Sequence, residues 1–466
     1  MMEAPPLVPG SDESQKGKPA GWWSWPVILL SVLAIGGAVF FESNETASRG
    51  DSESETSPAF KASDLALMKL EGQIVIAASV ADPQEAEKSL EGIRKHVSGD
   101  GMVAAYLLLE NFVSRGRETE SEAEQPKWNV ESSPLRNLTE KAIEFGVTES
   151  ERKDLEEKLG WFADLAADRE TGEVPRGGSI RTLSLLVLTV VGVIFMGAVF
   201  SVLAGATLLF LLLKKKKEGA DLLQFSRTDG PQGICLECFA IYLGTMAVGE
   251  LFIRELPVGF SPLVYALAVV LPLVWPLLRK VGWKDFRNSI GWHKGRGILR
   301  EIGAGFVGYT GVLAIASVGI FLTLVLVFVV TQVQAAGMEG GGEGTGSAPV
   351  GPVTHPIVGW IYEGGWKERL LCLLLAAGFA PLFEEIFFRG ALHRYLRGRL
   401  RFLPAAIITS VIFAALHPQG WMGIPALAAI GVGFSLLREW RDSLIAPMVA
   451  HAINNGVLVG LFCLAL

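Results

Sequence analysis

The sequence predicts an all-α, polytopic helical membrane protein with a small helical domain outside the bilayer. Three observations carry that class. Half of the 466 residues are hydrophobic and mean hydropathy is +0.39, more apolar than an ordinary soluble chain. Nine segments are apolar over lengths close to those a helix needs to cross a hydrocarbon core. Charge is unevenly placed: residues 42–181 hold 29 acidic and 17 basic side chains, a net of −12, whereas the whole chain is −7. An acidic soluble segment is therefore joined to a basic membrane body.

Residues 1–21 are rich in Pro, Gly, Ser and charge, the composition of a disordered cytoplasmic tail. Trp22–Phe41 is the first apolar segment, preceded by Lys16 and Lys18. It reads as an uncleaved signal anchor, because no A-x-A site follows; a cleaved signal peptide is the alternative. Either way, the next segment lies outside the cytoplasm. Residues 42–181 begin with a Ser/Glu linker to Pro58. Apolar positions then recur at helical spacing: Leu65, Met68, Val75 and Val80, then Val103, Leu107, Leu108 and Phe112. A second linker lies near residues 114–127. Thr148 with Glu151 forms a capping box ahead of Leu155, Leu159, Phe162 and Leu165. The pattern predicts about five helices and contains no catalytic constellation. None of the four cysteines lies there, so the domain holds no disulfide.

The remaining apolar segments run at about 183–213, 234–253, 262–278, 303–333, 370–388, 402–417, 422–437 and 443–466, with 234–466 forming a multi-helix membrane domain. The positive-inside rule orders them. Basic clusters precede the first segment and follow the second (Lys214–Lys217), fourth (Arg279, Lys280, Lys284, Arg287), sixth (Arg394, Arg397, Arg399, Arg401) and eighth (Arg438, Arg441). All fall on one face, the cytoplasmic one. This describes a multi-pass protein of a bacterial cytoplasmic (inner) membrane. No basic stripe interleaved with aromatics is present, which argues against nucleic acid as a partner.

Chemistry concentrates in the last hundred residues. PLFEEIFFRG carries Glu384, Glu385 and Arg389, VIFAALHP ends at His417, and VAHAINNG carries His451 and Asn455. Ionisable groups inside membrane helices are costly and mark function by default. At 1.5 Å per residue, Glu384, His417 and His451 lie roughly 15, 22 and 13 Å in from the cytoplasmic ends of their helices. Glu385 and Arg389 are i,i+4 and can pair, while Glu384 points about 100° away from Glu385. Glu384 is thus the candidate general base, with His417 holding or activating a water. His451 and Asn455, again i,i+4, can donate to an oxyanion. A rival assignment makes Glu384, His417 and His451 the ligands of a zinc ion. A bland one leaves only structural pairs and interhelical hydrogen bonds.

The motifs EExxxR, FxxxH (Phe413 to His417) and HxxxN (His451 to Asn455), in that order, resemble the CPBP family, which contains CAAX prenyl endopeptidases of the Rce1 type and bacterial Abi-type proteins. The resemblance covers about residues 290–466. It implies an intramembrane protease that cuts near the C-terminus of lipid-linked substrates. Glu384 and His417 would activate water, His451 and Asn455 would form the oxyanion hole, and Glu385 and Arg389 would support them. The family has been called metalloprotease, and a metal-free glutamate mechanism suits the same motifs. The implied partners are the lipid bilayer, a membrane-anchored or lipidated substrate and, for the acidic domain, an envelope protein. A non-catalytic scaffold or immunity protein is the alternative.

Outside the motifs, Cys235 and Cys238 form a CxxC without two further cysteines near enough for a zinc site. Glu250 is expected to pair with Arg254. His96, His293, His355 and His393 lie in polar segments and are expected to be solvated.

Overall fold

The computed structural model describes residues 19–48, 58–81, 83–94, 97, 100–114, 133–175, 177–217, 231–252, 261–339, 361 and 364–465. Among them there are no strands, only an isolated bridge between Val147 and Asp168. The chain is an all-α polytopic membrane protein. Its helices are α1 (Ser24–Ser48), α2 (Pro58–Ala81), α3 (Pro83–Arg94), α4 (Asp100–Ser114), α5 (Pro134–Phe145), α6 (Glu149–Leu159), α7 (Gly177–Lys217), α8 (Gln232–Phe252), α9 (Ser261–Leu278), α10 (Trp283–Ile290) and α11 (Ile298–Glu339). They continue with α12 (Trp366–Arg397), α13 (Phe402–Ala415), α14 (Ile424–Arg441) and α15 (Ile445–Ala465).

Two compact units divide the chain. One comprises Thr56–Gly197, Pro356–Cys372 and Gly460–Leu466; the other comprises Met1–Glu55, Ala198–His355 and Leu373–Val459. The first contains α2–α6, which enclose a core of Met68, Val75, Tyr106, Leu108, Phe112, Leu155, Leu159 and Phe162. Val80, an apolar position at helical spacing, is instead exposed, and Leu107 yields its core place to Leu109. Local signals set the helix ends. Ser133 caps α5 by accepting from Arg136 N, with Pro134 at its first position. Thr148 and Glu151 form a reciprocal capping box on α6. Gly146 ends α5 at φ +73°, and a Cβ there would lie 2.8 Å from Arg169 Cα, so only glycine fits the turn.

All nine apolar segments are helical. Six lie in helices long and apolar enough to span a membrane: α7, α8, α11, α12, α14 (with the turn before it) and α15. The apolar parts of α1, α9 and α13 are shorter. In the membrane unit α14 packs between α11 and α13, and α8 packs against α1, α9 and the middle of α12. Close approach needs glycine: a Cβ on Gly319 of α11 would lie 2.4 Å from Pro425 O of α14.

Buried carboxylates tie one end of this unit together. Glu301, fully buried at the start of α11, accepts both Arg441 Nε (2.9 Å) and Nη2 (2.7 Å) from the end of α14. Glu237 of α8 accepts Gly21 N before α1 (2.8 Å) and Trp275 Nε1 of α9 (2.7 Å). Arg279 lies 3.4 Å from the same carboxylate. Arg254, the expected partner of Glu250, lies outside the described residues, as do His96 and His355.

Candidate active site

The site forms where α12, α13, α14 and α15 meet, inside the membrane unit. Helix α12 is not a uniform α-helix. Leu375–Phe379 and Glu385–Leu392 are π-helical, separated by one α-helical turn, Ala380–Glu384. The wider i→i+5 register changes the angle at which successive side chains leave the axis. The 100° separation expected for Glu384 and Glu385 assumed α geometry. The two carboxylates approach opposite nitrogens of one imidazole. Glu385 Oε1 lies 2.9 Å from His451 Nδ1, and Glu384 Oε2 lies 3.7 Å from His451 Nε2.

Glu385 and Arg389 are fully buried and paired, with Arg389 Nη1 donating to Glu385 Oε1 at 2.8 Å. Arg389 Nη2 donates to Gly431 O of α14 at 3.2 Å. The guanidinium carbon sits 4.5 Å from the Phe413 ring centroid and 5.3 Å from that of Phe434. This apolar box admits arginine because its flat cation stacks on aromatic faces. Phe434 also stacks on His451, with centroids 4.7 Å apart and planes at 24°. The imidazole is thus fixed in plane by an aromatic ring and in direction by a carboxylate.

Proton positions follow from the partners. A carboxylate only accepts, so Nδ1 of His451 carries its proton towards Glu385. His417 Nδ1 lies 2.7 Å from Phe413 O, so it too is the protonated nitrogen, leaving Nε2 as a lone pair. Glu384 and His451 both lie within electrostatic reach of His417. Glu384 is half-buried, and its Oε2 is shielded from solvent with no hydrogen-bond partner. Glu385 Oε2 is likewise unpartnered.

Asn455 stands apart from the expected oxyanion role for one of its two N–H bonds. Its Nδ2 donates to Ala376 O in the first π segment at 2.9 Å. Its Oδ1 accepts from Asn454 Nδ2 at 3.2 Å, and Asn454 Oδ1 accepts from Tyr309 OH at 3.2 Å. Asn455 thereby links α15 to α12 and α11.

Sequence reasoning missed a second buried network. His393, expected to be solvated, is 1% exposed, and its Nε2 lies 3.0 Å from Glu439 Oε1. Arg397 Nε donates to the same oxygen at 2.7 Å. The segment reads as polar, but Glu439 is on α14, far away in sequence. His293 is half-buried; its Nδ1 accepts from Gly295 N, and its carbonyl accepts from Ser443 Oγ. Cys235 and Cys238 are buried free thiols, with Ser289 Oγ 3.9 Å from Cys235 Sγ.

Glu384, His417 and His451 are chemically suitable zinc donors. As placed, they do not close on a common point: among the described residues no three His, Cys, Asp or Glu side chains converge to hold a metal ion. His451 Nδ1 is turned to Glu385, and only its Nε2 faces Glu384. The chemistry that follows is therefore built on the side chains alone.

Comparison with known proteins adds an independent line. Residues 366–457 match the family model for type II CAAX prenyl endopeptidase Rce1-like proteins, a narrower span than the motif resemblance covered. Over 85 residues the chain is 35% identical to the membrane-embedded CAAX protease MroQ of Staphylococcus aureus (strain USA300), 17% of this chain and 34% of that protein. The chain thus spans about a third of that relative's length. No solved structure matches. The matched span holds every motif residue, from Glu384 to Asn455, and over it the chain is similar to Rce1-like CAAX prenyl endopeptidases.

Proposed function

We propose that this protein is an intramembrane endopeptidase of the cytoplasmic membrane that hydrolyses a peptide bond near the C-terminus of a membrane-anchored or lipidated substrate. The observation that carries the reading is the unpartnered Oε2 of Glu384, buried and 3.7 Å from an imidazole nitrogen whose ring is locked by Glu385 and Arg389. A carboxylate oxygen and an imidazole nitrogen this close are compatible when Nε2 also carries a proton, which makes His451 an imidazolium facing Glu384.

Glu384 takes a proton from water, and the water oxygen bonds to the substrate carbonyl carbon. The lone pair on His417 Nε2 orients that water. The carbonyl π bond opens to an oxyanion, and His451 in its doubly protonated form donates Nε2–H to it, its positive charge held by Glu385. The remaining N–H of Asn455 is the second candidate donor. The C–N bond then breaks, and the leaving amine takes the proton from Glu384. Glu384 alone moves the proton, from water to the leaving amine, while His417, His451 and Asn455 hold the reacting oxygens.

The test uses the full-length protein in proteoliposomes with membrane-anchored quenched peptides. Glu384→Gln is expected to abolish cleavage while leaving thermal stability unchanged; cleavage at the wild-type rate would overturn the assignment. The donor placement predicts that cleavage survives chelation. Loss on chelation, restored by added zinc, would mean that the three donors close around a metal.

A further inference from the structure

Helix α12 interrupts its own hydrogen-bond ladder just before Glu384. In the first π segment the Ala380 N–H donates to Leu375 O, an i→i+5 bond. The next carbonyl, Ala376 O, thereby loses its α-helical partner, which is that same N–H. Its partner in the π register is residue 381, a proline, which has no N–H to give. A carbonyl stranded in this way within a bilayer is costly, and membrane helices tolerate proline where a neighbouring side chain fills the gap.

Here the filler comes from α15. Asn455 Nδ2 donates to Ala376 O at 2.9 Å. The two helices touch at that level: a Cβ on Gly456 would lie 3.4 Å from Ala377 Cβ. The carbonyl sets the polarity of everything behind it, because it only accepts. Asn455 must present its amide nitrogen to Ala376 and its Oδ1 to Asn454. Asn454 must then present its own Nδ2, at 3.2 Å, and keep its Oδ1 for Tyr309. Tyr309 of α11 closes the chain as a donor, its OH 3.2 Å from Asn454 Oδ1. Each bond polarises the next, and turning either amide over would set acceptor against acceptor.

We propose that Tyr309, Asn454 and Asn455 form a positioning strut that replaces the backbone bond missing at Pro381 and so fixes Glu384 against His451. Pro381 lies three residues before Glu384, and His451 lies one turn before Asn455. The strut therefore sets the register of α12 on α15 where Glu384 Oε2 and His451 Nε2 meet at 3.7 Å. Tyr309 and Asn454 act through Asn455. Their effect on cleavage rests on the peptidase reading; the strut itself does not, and stability reports it without any substrate.

The experiment measures thermal midpoints of the full-length protein in detergent for the wild type, Asn455→Ala, Pro381→Ala and the double variant. Pro381→Ala gives Ala376 O a backbone donor. Asn455→Ala should lower the midpoint by about 1–3 °C in the wild-type background, the effect of stranding a buried acceptor, and by clearly less beside Pro381→Ala. Equal losses in both backgrounds would overturn the strut, because an amide that serves only the oxyanion is indifferent to residue 381. Should Pro381→Ala fail to fold, Tyr309→Phe combined with Asn455→Ala decides: a coupled chain loses less in the double variant than the sum of the single losses, and strict additivity overturns it. In proteoliposomes Tyr309→Phe should lower kcat about 3–10-fold per folded molecule with KM unchanged, and an unchanged kcat would remove Tyr309 from any positioning role. Wild-type protein that cleaves nothing would sink the peptidase reading and leave the midpoints to judge the strut.

Discussion

Two buried charges with different settings show what single residues do here. Glu385 is fully buried, and its Oε1 serves both Arg389 and His451. Removing either partner of such a pair leaves an uncompensated charge and costs about 3–5 kcal/mol. Glu385→Gln keeps an oxygen for His451 Nδ1–H but withdraws the charge that stabilises the imidazolium. Cleavage should fall by about 10²-fold or more, the loss typical of a weakened oxyanion donor, and kcat should fall more than KM rises. Steady-state kinetics in proteoliposomes separate the two. Lys69, in the helical unit outside the motif region, is a buried cation whose cost comes mainly from lost solvation. It is 5% exposed, and burial, with the Arg369 guanidinium a smaller cause, holds its ammonium down at about 8 from the ordinary 10.5. Between those values the unfolded chain binds more protons than the folded one, so stability rises with pH across that window and the cost is full below it. Hydrogen exchange on α2 in the intact protein should slow as pH rises from about 8 to 10, after correction for intrinsic exchange. Lys69→Met should remove most of that dependence.

Elements were legible from sequence where one chemical signal fixes one local geometry. Thr148 and Glu151 predicted a cap, and the cap is present. The i,i+4 spacing of Glu385 and Arg389 predicted a pair, and the pair forms. The π segments of α12 were not legible. No residue type along Leu375–Phe379 or Glu385–Leu392 signals the i→i+5 register. Both glutamates were named, but their meeting at the two nitrogens of one imidazole depends on a partner on α15. His393 was misread because its burial depends on Glu439, a partner on another helix. The junction of α12 with α14 depends on a glycine. A Cβ on Gly431 would lie 2.8 Å from Ser410 Cβ and 3.2 Å from Arg389 Nη2. Gly431→Ala should therefore push α13 from α14 and destabilise the protein by about 1–3 kcal/mol, the usual cost of overpacking. A thermal midpoint unchanged by the substitution would show that the helices slide apart without strain.

At the scale of the whole molecule, orientation rests on where positive charge collects. Within the membrane unit, Glu237 joins the residues before α1 to Arg279 after α9, and Glu301 joins the start of α11 to Arg441 at the end of α14. Gly398 after α12 lies against Gln232 at the start of α8, and Leu444 N donates to Gly291 O. The basic clusters that follow the fourth, sixth and eighth apolar segments therefore come to one end of the bundle, as a cytoplasmic face requires. Residues 42–181 are then expected on the other side, separated from Lys214–Lys217 by α7. Thiol labelling tests this, because Cys235, Cys238 and Cys372 are buried and Cys463 is half-buried, which keeps the background low. Ser150 and Lys284 are both exposed. In intact cells Ser150→Cys should react with a membrane-impermeant maleimide, and Lys284→Cys should react only after permeabilisation. Labelling of both from the same side would place the acidic helices and the basic end of the bundle in one compartment, and would remove the argument that the acidic domain meets its partners outside the membrane.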